Sequence, residues 1–409
     1  MTEMEQPPLT APQKIQTDDS MLLLQGTVGF FFAFRICITF LWFQSDPQLG
    51  TEISMALNLL LLLAALVCSI GDPRTASLSV LRIPVLRWMA GFLAFSCISL
   101  AWSEAQSTMV SAAYWVGMTA DVLTTVLLIR TDDTERCVAA LMKGFCVGAT
   151  VVALVAWCAP TLPDLRIGSL DFMHPNGLGL EFAIAALFAQ YLARENAPWK
   201  WPGIALAVTL LRTLSKTSII AFVAAEIFYL LYDSKMGRRT KIWIGVFASL
   251  AIASFWGLLE QYLEMYSTTA DQAETLTGRT TIWAVAFAMA MEKPWLGHGI
   301  YSFRALIPAF GTFEPWHAHN ELLQQFFEYG LAGVVLVIGL YWIFFLQAKR
   351  ASSGSLKTLA LALLMYALIR GLTDTVNFGL SYPLWLLTAL ALSLAPTGSS
   401  SASPVPQTI

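Results

Sequence analysis

Residues 260–333 contain three short polar motifs in an otherwise apolar chain: Gly278-Arg279-Thr280-Thr281-Ile282-Trp283, Pro294-Trp295-Leu296-Gly297-His298-Gly299 and Trp316-His317-Ala318-His319-Asn320. This stretch holds three of the four histidines. It is also the longest part of the chain without an apolar run of membrane-spanning length. Apolar runs flank it on both sides, so we predict that residues 260–320 form a large loop outside the membrane and carry the functional side chains.

The composition indicates a membrane protein. Hydrophobic residues make up 56% of the chain and charged residues only 12%, whereas a soluble domain carries about 25% charged residues. The apolar residues are spread over most of the length, so we expect an all-α polytopic membrane protein. The polar segments 1–20 and 396–409 are expected to be loose cytoplasmic tails, the first of them disordered.

Apolar runs of roughly 20 residues predict about twelve transmembrane helices. Nine of them precede the loop, within 21–259, and three follow it, within 321–395. The predicted spans are 21–43, 52–70, 86–102, 111–129, 138–158, 174–193, 201–213, 217–232, 242–259, 321–346, 358–376 and 382–395. The polar run 211–218 separates the short seventh and eighth spans, and an interrupted apolar run of this kind often marks a binding site.

The distribution of lysine and arginine predicts the orientation. With the N-terminus inside, more than twice as many of these residues fall in the inner loops as on the outer side, and cytoplasmic loops carry an excess of positive charge. Both termini are therefore expected in the cytoplasm and the loop 260–320 outside. Apolar residues within 280–291 predict a short helix of this loop that lies on or dips into the membrane interface.

Two cations, Lys216 and Arg279, are predicted near the outer membrane surface. A charge at this boundary is costly unless it has a partner. Two fixed cations suit a substrate with two phosphates, because arginine binds phosphate through a bidentate fork and lysine as a point charge. Alternatively, both side chains extend to the interface or pair with acidic residues of the loop. Those acidic residues are Glu260, Glu264, Asp271 and Glu274.

His317 and His319 lie just before the tenth predicted span. A neutral imidazole at position 319 can accept a proton from a sugar hydroxyl, because imidazole titrates near neutral pH, and Asn320 can orient its ring. The alternatives are a capping or interface role and a metal site formed by both histidines. No cysteine or HExxH-type partner accompanies the pair, so the sequence favours a site without metal.

Further polar residues interrupt the apolar runs. His174-Pro175-Asn176-Gly177 has ordinary helix-start signals, so a structural role is its first interpretation. Carboxylates inside apolar runs are functional candidates, but they can instead pair with Arg35, Arg212 or Arg370. These carboxylates are Asp121, Glu181, Glu226 and Asp374. The sequence has no Walker A, GxSxG or strand-to-helix GxGxxG motif, so nothing indicates nucleotide use or serine hydrolysis.

The order of the motifs resembles the O-antigen ligase and polymerase superfamily. His319-Asn320, followed after nine residues by Gly330 and then Gly333, matches the His-Asn-x9-Gly-x-x-Gly pattern of that family. The motifs at 278–283 and 294–299 resemble its outer loop. His174-Pro175-Asn176 and Ser215-Lys216-Thr217 resemble its two earlier signatures, so the motifs together extend over residues 174–333.

This resemblance implies a GT-C-like bundle in the bacterial inner membrane, with an active site that faces the periplasm. It also implies inverting glycosyl transfer from an undecaprenyl-diphosphate-linked glycan, without nucleotide, metal or other cofactor. His319 would activate the acceptor hydroxyl, and Arg279 and Lys216 would bind the donor diphosphate. Many relatives have arginine in place of Lys216. The lysine keeps the positive charge but lacks the bidentate fork of a guanidinium. The supporting residues would be Asn320, His317, Arg212, His174 and Asn176.

The motifs at 215–217 and 278–283 are most similar to those of exopolysaccharide polymerases, which favours polymerisation of repeat units. One alternative is a ligase that transfers the glycan to lipid A–core or another acceptor. Another is a polysaccharide transporter or flippase, which should line a central path with charge and show paired halves. The expected partners are a lipid-linked glycan donor, a glycan or lipid-linked acceptor and membrane lipid, with chain-length regulators and export proteins as candidates. Nucleic acid is not expected.

Overall fold

The structure is a computed structural model that describes residues 19–395 except 71, 73–74, 76–77, 130–132, 163–164, 170–171, 233–236, 240, 243–244, 247–275, 311–313, 353 and 376–381. The α-helices used below are α1 (Asp19–Phe34), α2 (Ile36–Trp42), α3 (Pro47–Ser69), α4 (Pro84–Ile98), α5 (Thr108–Leu128), α6 (Thr134–Cys158), α7 (Pro175–Leu192), α8 (Lys200–Arg212), α9 (Lys216–Tyr232), α10 (Leu276–Ala290), α11 (Phe303–Leu306), α12 (Glu321–Arg350), α13 (Ser355–Gly371) and α14 (Tyr382–Ser393). The all-α prediction is confirmed for the described residues.

Every predicted span except the ninth overlaps one of these helices. The ninth, 242–259, lies mostly outside the described residues, as do most of the two predicted tails. Within the described residues, five helices are long and apolar enough to cross a membrane, and a sixth results if α1 and α2, bent by 63°, form one span. Twelve spans, the orientation and the periplasmic position of the loop therefore stay predictions.

Side-chain caps define where two helices near the loop begin. Ser107 accepts a hydrogen bond from the backbone N–H of Val110 at 3.4 Å at the start of α5. Asn320 does the same for Leu323 at 2.9 Å at the start of α12. Such caps satisfy backbone N–H groups that the first helical turn leaves unpaired. Position 319 is thereby fixed immediately outside α12.

Close backbone contact joins α1 to α6. A Cβ atom added to Gly144 would lie 1.8 Å from the carbonyl oxygen of Gly26, so only glycine permits this approach, as is common between membrane helices. The two helices belong to a large apolar core that also includes residues of α7, α13 and α14. This core is the scaffold on which the loop ends are arranged.

The bend between α1 and α2 lies at Arg35, which is buried. Its guanidinium donates to Asp121 at 2.5 Å and to Asn58 at 3.3 Å. Buried charge is stable only when it is paired and hydrogen-bonded. The predicted pairing of a membrane carboxylate with Arg35 is thus confirmed, whereas Glu226 accepts a hydrogen bond from Gln190 at 2.9 Å.

Helix α12 is broken at Gly330, whose backbone angles are φ 62° and ψ −160°. The loop 294–299 pairs with this break: the backbone N–H of Leu331 donates to the carbonyl of Pro294 at 2.8 Å. A Cβ atom at Gly330 would lie 2.4 Å from the carbonyl carbon of Trp295. The glycine motif after His319 therefore holds the loop against the helix that begins beside that histidine.

The predicted helix within 280–291 is confirmed as α10, which begins a few residues earlier. One face of α10 is buried, with Ile282 and Ala286 packed in a small apolar cluster that includes Phe303 and Phe327. Ala284 and Ala288, on the opposite face, are exposed. The helix thus packs against the protein through one face, and its position relative to the membrane stays a prediction.

Candidate active site

Side chains from two distant parts of the chain meet at the start of α12. Nδ1 of His319 lies 3.4 Å from Oδ1 of Asp374, and Nδ1 of His317 lies 4.0 Å from the same oxygen. The two imidazole rings meet edge to face, with centroids 4.2 Å apart. Asp374 follows α13 and is buried, so the fold supplies a carboxylate to the predicted histidine pair.

Neighbouring groups hold Asp374 as an oriented carboxylate. Nη2 of Arg370 donates to its Oδ2 at 2.8 Å, and the backbone N–H of Thr375 donates to its Oδ1 at 2.9 Å. Arg370 is itself buried and also donates to the carbonyl oxygens of Thr375 and Asn176. Because a buried charge needs such partners, this network keeps the carboxylate ionised and directed at His319.

The hydrogen bonds distinguish the two histidines. Nδ1 of His317 accepts the backbone N–H of His319 at 3.3 Å, so this nitrogen carries no proton. Burial, followed by the charge of the neighbouring His319, holds the pKa of His317 well below its usual range. Nδ1 of His319 faces the Asp374 carboxylate instead. A proton on that nitrogen leaves Nε2 of His319 with a lone pair that can accept another proton.

The backbone around His319 is strained. This residue has φ 50°, in the left-handed region that few residues other than glycine adopt. Asn320 follows in extended conformation, caps α12 and donates through Nδ2 to the carbonyl of Leu372 at 3.0 Å. Such strain persists where surrounding contacts enforce it, and it is concentrated at functional sites. The predicted supporting role of Asn320 thus has a geometric basis, although the residue acts on the backbone and not on the imidazole.

The turn 372–375 after α13 contacts both the histidine pair and Arg279, the residue predicted to bind the diphosphate. Nη1 of Arg279, in α10, donates to the carbonyl of Thr373. The hydroxyl of Thr373 is 2.9 Å from that of Thr217, in the first turn of α9. The ends of α9, α10, α12 and α13 therefore meet at this turn.

Two arginine side chains act electrostatically on Lys216 at this place. The charges of Arg279 and Arg166 both act on Lys216, the first residue of α9. Neighbouring like charges repel one another, and an anion is attracted to such a cluster. The acidic residues considered as alternative partners of Arg279 lie outside the described residues, and among the described ones Nε of Arg279 has no hydrogen-bond partner. The cluster fits a ligand with several phosphate oxygens.

His174 and Asn176 lie beside this group. Nδ1 of His174 caps α7 by accepting the backbone N–H of Asn176 at 3.3 Å, which confirms the helix-start interpretation. The carbonyl of Asn176 accepts a hydrogen bond from Arg370 at 3.4 Å. His174 is also close enough to affect the charge of His317. Both residues therefore lie next to the candidate site, and their supporting role stays a prediction.

Arg212 has different surroundings. Its Nη1 donates to the carbonyl of Leu165 at 2.7 Å, and its guanidinium lies over the ring of Trp157. These contacts anchor the end of α8 to the segment before α7. The described contacts of Arg212 thus do not join it to His319 or to the turn 372–375.

His298 is fixed inside the fold. Its Nδ1 is 2.6 Å from Oε2 of Glu104, its Nε2 is 3.0 Å from the carbonyl of Met289, and its ring stacks on Phe327. Hydrogen bonds from Lys293 and then from His298 hold the pKa of Glu104 below its usual range. Both nitrogens of His298 therefore face acceptors, so the residue attaches the loop 294–299 to the α4–α5 connection.

His317, His319 and Asp374 also form a group of potential metal ligands, with ligand atoms within 4.8 Å of one another. Asp374 is the third ligand that the local spacing of the histidines did not reveal. Two contacts weaken this donor set: Oδ2 of Asp374 pairs with the Arg370 guanidinium, and Nδ1 of His317 already accepts a hydrogen bond. A cation would have to compete with both, so we retain the interpretation without metal as a prediction.

The sequence alone identifies the histidines and cations but not the carboxylate that joins them. It predicts Asp374 only as a membrane carboxylate that can pair with an arginine, and its pairing with Arg370 is confirmed. The position of Asp374 could have indicated its role, because it ends an apolar run on the same predicted side of the membrane as His319. Nothing in the sequence distinguishes Thr373, which contributes through its backbone carbonyl.

Residues 202–338 match the family model described as O-antigen ligase. The exopolysaccharide production protein ExoQ of Rhizobium meliloti is 25% identical over 296 residues, which are 65% of this chain and 66% of that protein. The O-antigen ligase of Pseudomonas aeruginosa is 29% identical over 178 residues, 42% of this chain and 41% of that protein. The chain thus spans less than two thirds of either relative. Together these matches support the resemblance to the O-antigen ligase/polymerase superfamily that the motifs indicate.

Proposed function

We propose that the protein is a glycosyltransferase of the bacterial inner membrane that polymerises undecaprenyl-diphosphate-linked oligosaccharide repeat units on the periplasmic face. One observation carries the proposal: the turn 372–375 holds Asp374 beside His319 and also accepts a hydrogen bond from Arg279. This arrangement supports the proposal, because transfer from a lipid diphosphate requires a base and a phosphate-binding cation at one place.

In the proposed reaction, Nε2 of His319 accepts the proton of the acceptor hydroxyl. At the same time, the hydroxyl oxygen forms a bond to the anomeric carbon of the donor. The bond from that carbon to the diphosphate oxygen breaks, and the lipid diphosphate takes the electron pair. Attack from the opposite face inverts the anomeric configuration. Asp374 faces Nδ1 and stabilises the imidazolium that forms.

The leaving diphosphate gains negative charge in this step. Arg279 and Lys216 stabilise that charge, and Arg166 adds a third cation nearby. Fixed charges contribute most when they are oriented before the reaction, and the hydrogen bond from Arg279 to Thr373 provides such orientation. The energy of the carrier's phosphate linkage drives the transfer, so the proposal needs neither nucleotide nor metal.

The second candidate is a ligase that uses the same chemistry with lipid A–core or another acceptor. The family description and the Pseudomonas aeruginosa relative both bear the name O-antigen ligase, which supports this alternative. The polymerase is ranked first because the match to the exopolysaccharide production protein covers more of the chain. A transporter is ranked last, because the charged residues of the site lie together at one end of the helices.

The lipid-linked glycans of a deletion strain test the proposal. Accumulation of single repeat units on the carrier lipid on the periplasmic side indicates a polymerase, whereas long chains on the carrier indicate a ligase. Repeat units retained on the cytoplasmic side indicate a flippase and contradict both enzymes. Turnover of lipid-linked repeat units by the purified protein in lipid nanodiscs provides the biochemical check.

A further inference from the structure

A separate cavity of about 140 Å³ lies between the start of α5 and the segment around α11. It is smaller than the ~300 Å³ lower limit for pockets that hold drug-sized ligands, so it suits one ring-sized group. The lining combines an amide, hydroxyls, an aromatic ring and a guanidinium. The lining residues are Gln106, Ser107, Val110, Tyr301, Arg304 and Ala305.

The lining of the cavity contacts an aromatic side chain next to the histidine pair in the chain. The guanidinium of Arg304 lies over the ring of Trp316, 4.0 Å from its centroid. Trp316 is 58% exposed and directly precedes His317 in the chain. Arg304, a residue of the cavity lining, thus contacts the segment that carries the two histidines.

The wall of the cavity is held in an unusual conformation. Tyr301 has φ 63°, which is uncommon for a residue with an aromatic side chain. Its ring stacks on Tyr114, with centroids 4.3 Å apart. Backbone strain maintained by surrounding contacts is typical of ligand-binding positions. The strain at Tyr301, a residue of the cavity lining, is therefore consistent with a binding site.

Arg304 carries an uncompensated charge at this cavity. The side chain is exposed, and no carboxylate of the described residues lies within ion-pair distance of it. A guanidinium of this kind matches a carboxylate through two parallel hydrogen bonds. The amide of Gln106 and the hydroxyl of Tyr301 can bind ring hydroxyls, so the lining suits a small, polyhydroxylated anion with apolar ring faces.

We propose that this cavity is a subsite for one acidic sugar residue of the acceptor glycan, with its carboxylate on Arg304. The proposal rests on the proposed glycosyl transfer, because that reaction brings an acceptor glycan to His319, near the segment that Arg304 contacts. A phosphate-bearing lipid headgroup is the competing anion. The glycan is favoured because the cavity is narrow and lined by side chains that complement a sugar ring.

Saturation-transfer NMR on the purified protein in nanodiscs tests the subsite directly. Methyl glucuronide should receive saturation from the wild-type protein, and methyl glucoside should receive less. Arg304→Ala and Gln106→Ala should weaken the glucuronide signal, whereas Arg350→Ala, an exposed arginine at the far end of α12, should not. Equal signals in the Arg304 and Arg350 variants, or displacement of the glucuronide by glycerol phosphate, overturn the proposal.

Turnover separates the subsite from the proposed function. In polymerisation assays with an acidic repeat unit, Arg304→Ala should raise the acceptor KM about tenfold, which corresponds to about 1.4 kcal/mol, and leave kcat nearly unchanged. An unchanged KM with normal polymer refutes the subsite and leaves the function intact. Arg304-dependent glucuronide binding by a wild-type protein that forms no polymer refutes the function and leaves the subsite intact.

Discussion

Nδ1 of His319 lies 3.4 Å from Oδ1 of Asp374, whereas Nδ1 of His317 is 4.0 Å from that oxygen and accepts a backbone N–H. Nδ1 of His319 has no hydrogen-bond partner among the described residues, so it can carry a proton that faces the carboxylate, whereas Nδ1 of His317 cannot. This difference selects one histidine of a closely spaced pair as the proposed base.

We expect His319→Ala and His319→Gln to lower polymer formation by roughly 10²–10⁴-fold, the usual contribution of a positioned base. His317→Ala should retain much more activity. The measurement is turnover of lipid-linked repeat units by purified protein, with donor binding measured in parallel and expected to persist. Turnover close to wild type in His319→Ala would remove the assignment, and loss of activity with a chelator would favour the metal interpretation.

Arg279→Lys should remain severely impaired, because an ammonium group cannot make the two parallel hydrogen bonds of a guanidinium. Lys216→Arg should be tolerated, because it restores the residue expected in many relatives and retains the charge. Both variants conserve charge, so each is a matched control for the other. Equal activity in the two would show that charge alone suffices, and the measurement is kcat and KM for the lipid-linked donor.

Gly330→Ala should destabilise the protein by ~1–3 kcal/mol or more, because its backbone angles are essentially restricted to glycine. The added Cβ would also meet the backbone of Trp295 at 2.4 Å. Gly91→Ala is the control: it lies within α4 with no atom within 4 Å of the added Cβ, so it should be neutral or stabilising by ~0.5–1 kcal/mol. Thermal unfolding in detergent measures both, and equal effects would contradict the docking of the loop at Gly330.

Glu104→Gln should lower the thermal midpoint by a few degrees at pH 7. The pKa of Glu104 is held below its usual value by Lys293 and His298. Its contribution is therefore fully present above the ordinary value of 4.5 and lost as the pH falls through the lower folded-state value. The difference between wild type and variant should shrink below that pH. Glu314→Gln, at an exposed position, should show no such dependence, and a pH-independent Glu104 effect would contradict the ion pairs.

Cysteine labelling tests the orientation. In a background without native cysteines, Glu314→Cys should react with an impermeant thiol reagent in intact cells whose outer membrane is permeabilised, and Arg238→Cys should not. Both positions are exposed, so accessibility within the protein does not distinguish them. The reverse pattern would place the site in the cytoplasm and contradict a periplasmic reaction.

The sequence by itself determined the helical class and nearly all helix positions, because apolar runs, caps and proline act over a few residues. It also indicated His319, Arg279 and Lys216 as functional candidates, because polar and charged side chains are costly in an apolar, membrane-spanning chain. The comparisons with known proteins support the resemblance to the superfamily that these motifs indicate.

Only the tertiary structure decided which groups meet. The pairing of His319 with Asp374 and of Arg279 with Thr373 joins segments far apart in the chain, and no local pattern records such contacts. The break in α12 at Gly330 also depends on a distant segment, because Pro294 and Trp295 pack against the broken turn. Helix formation depends on near neighbours, whereas the geometry of the site depends on how the completed helices pack.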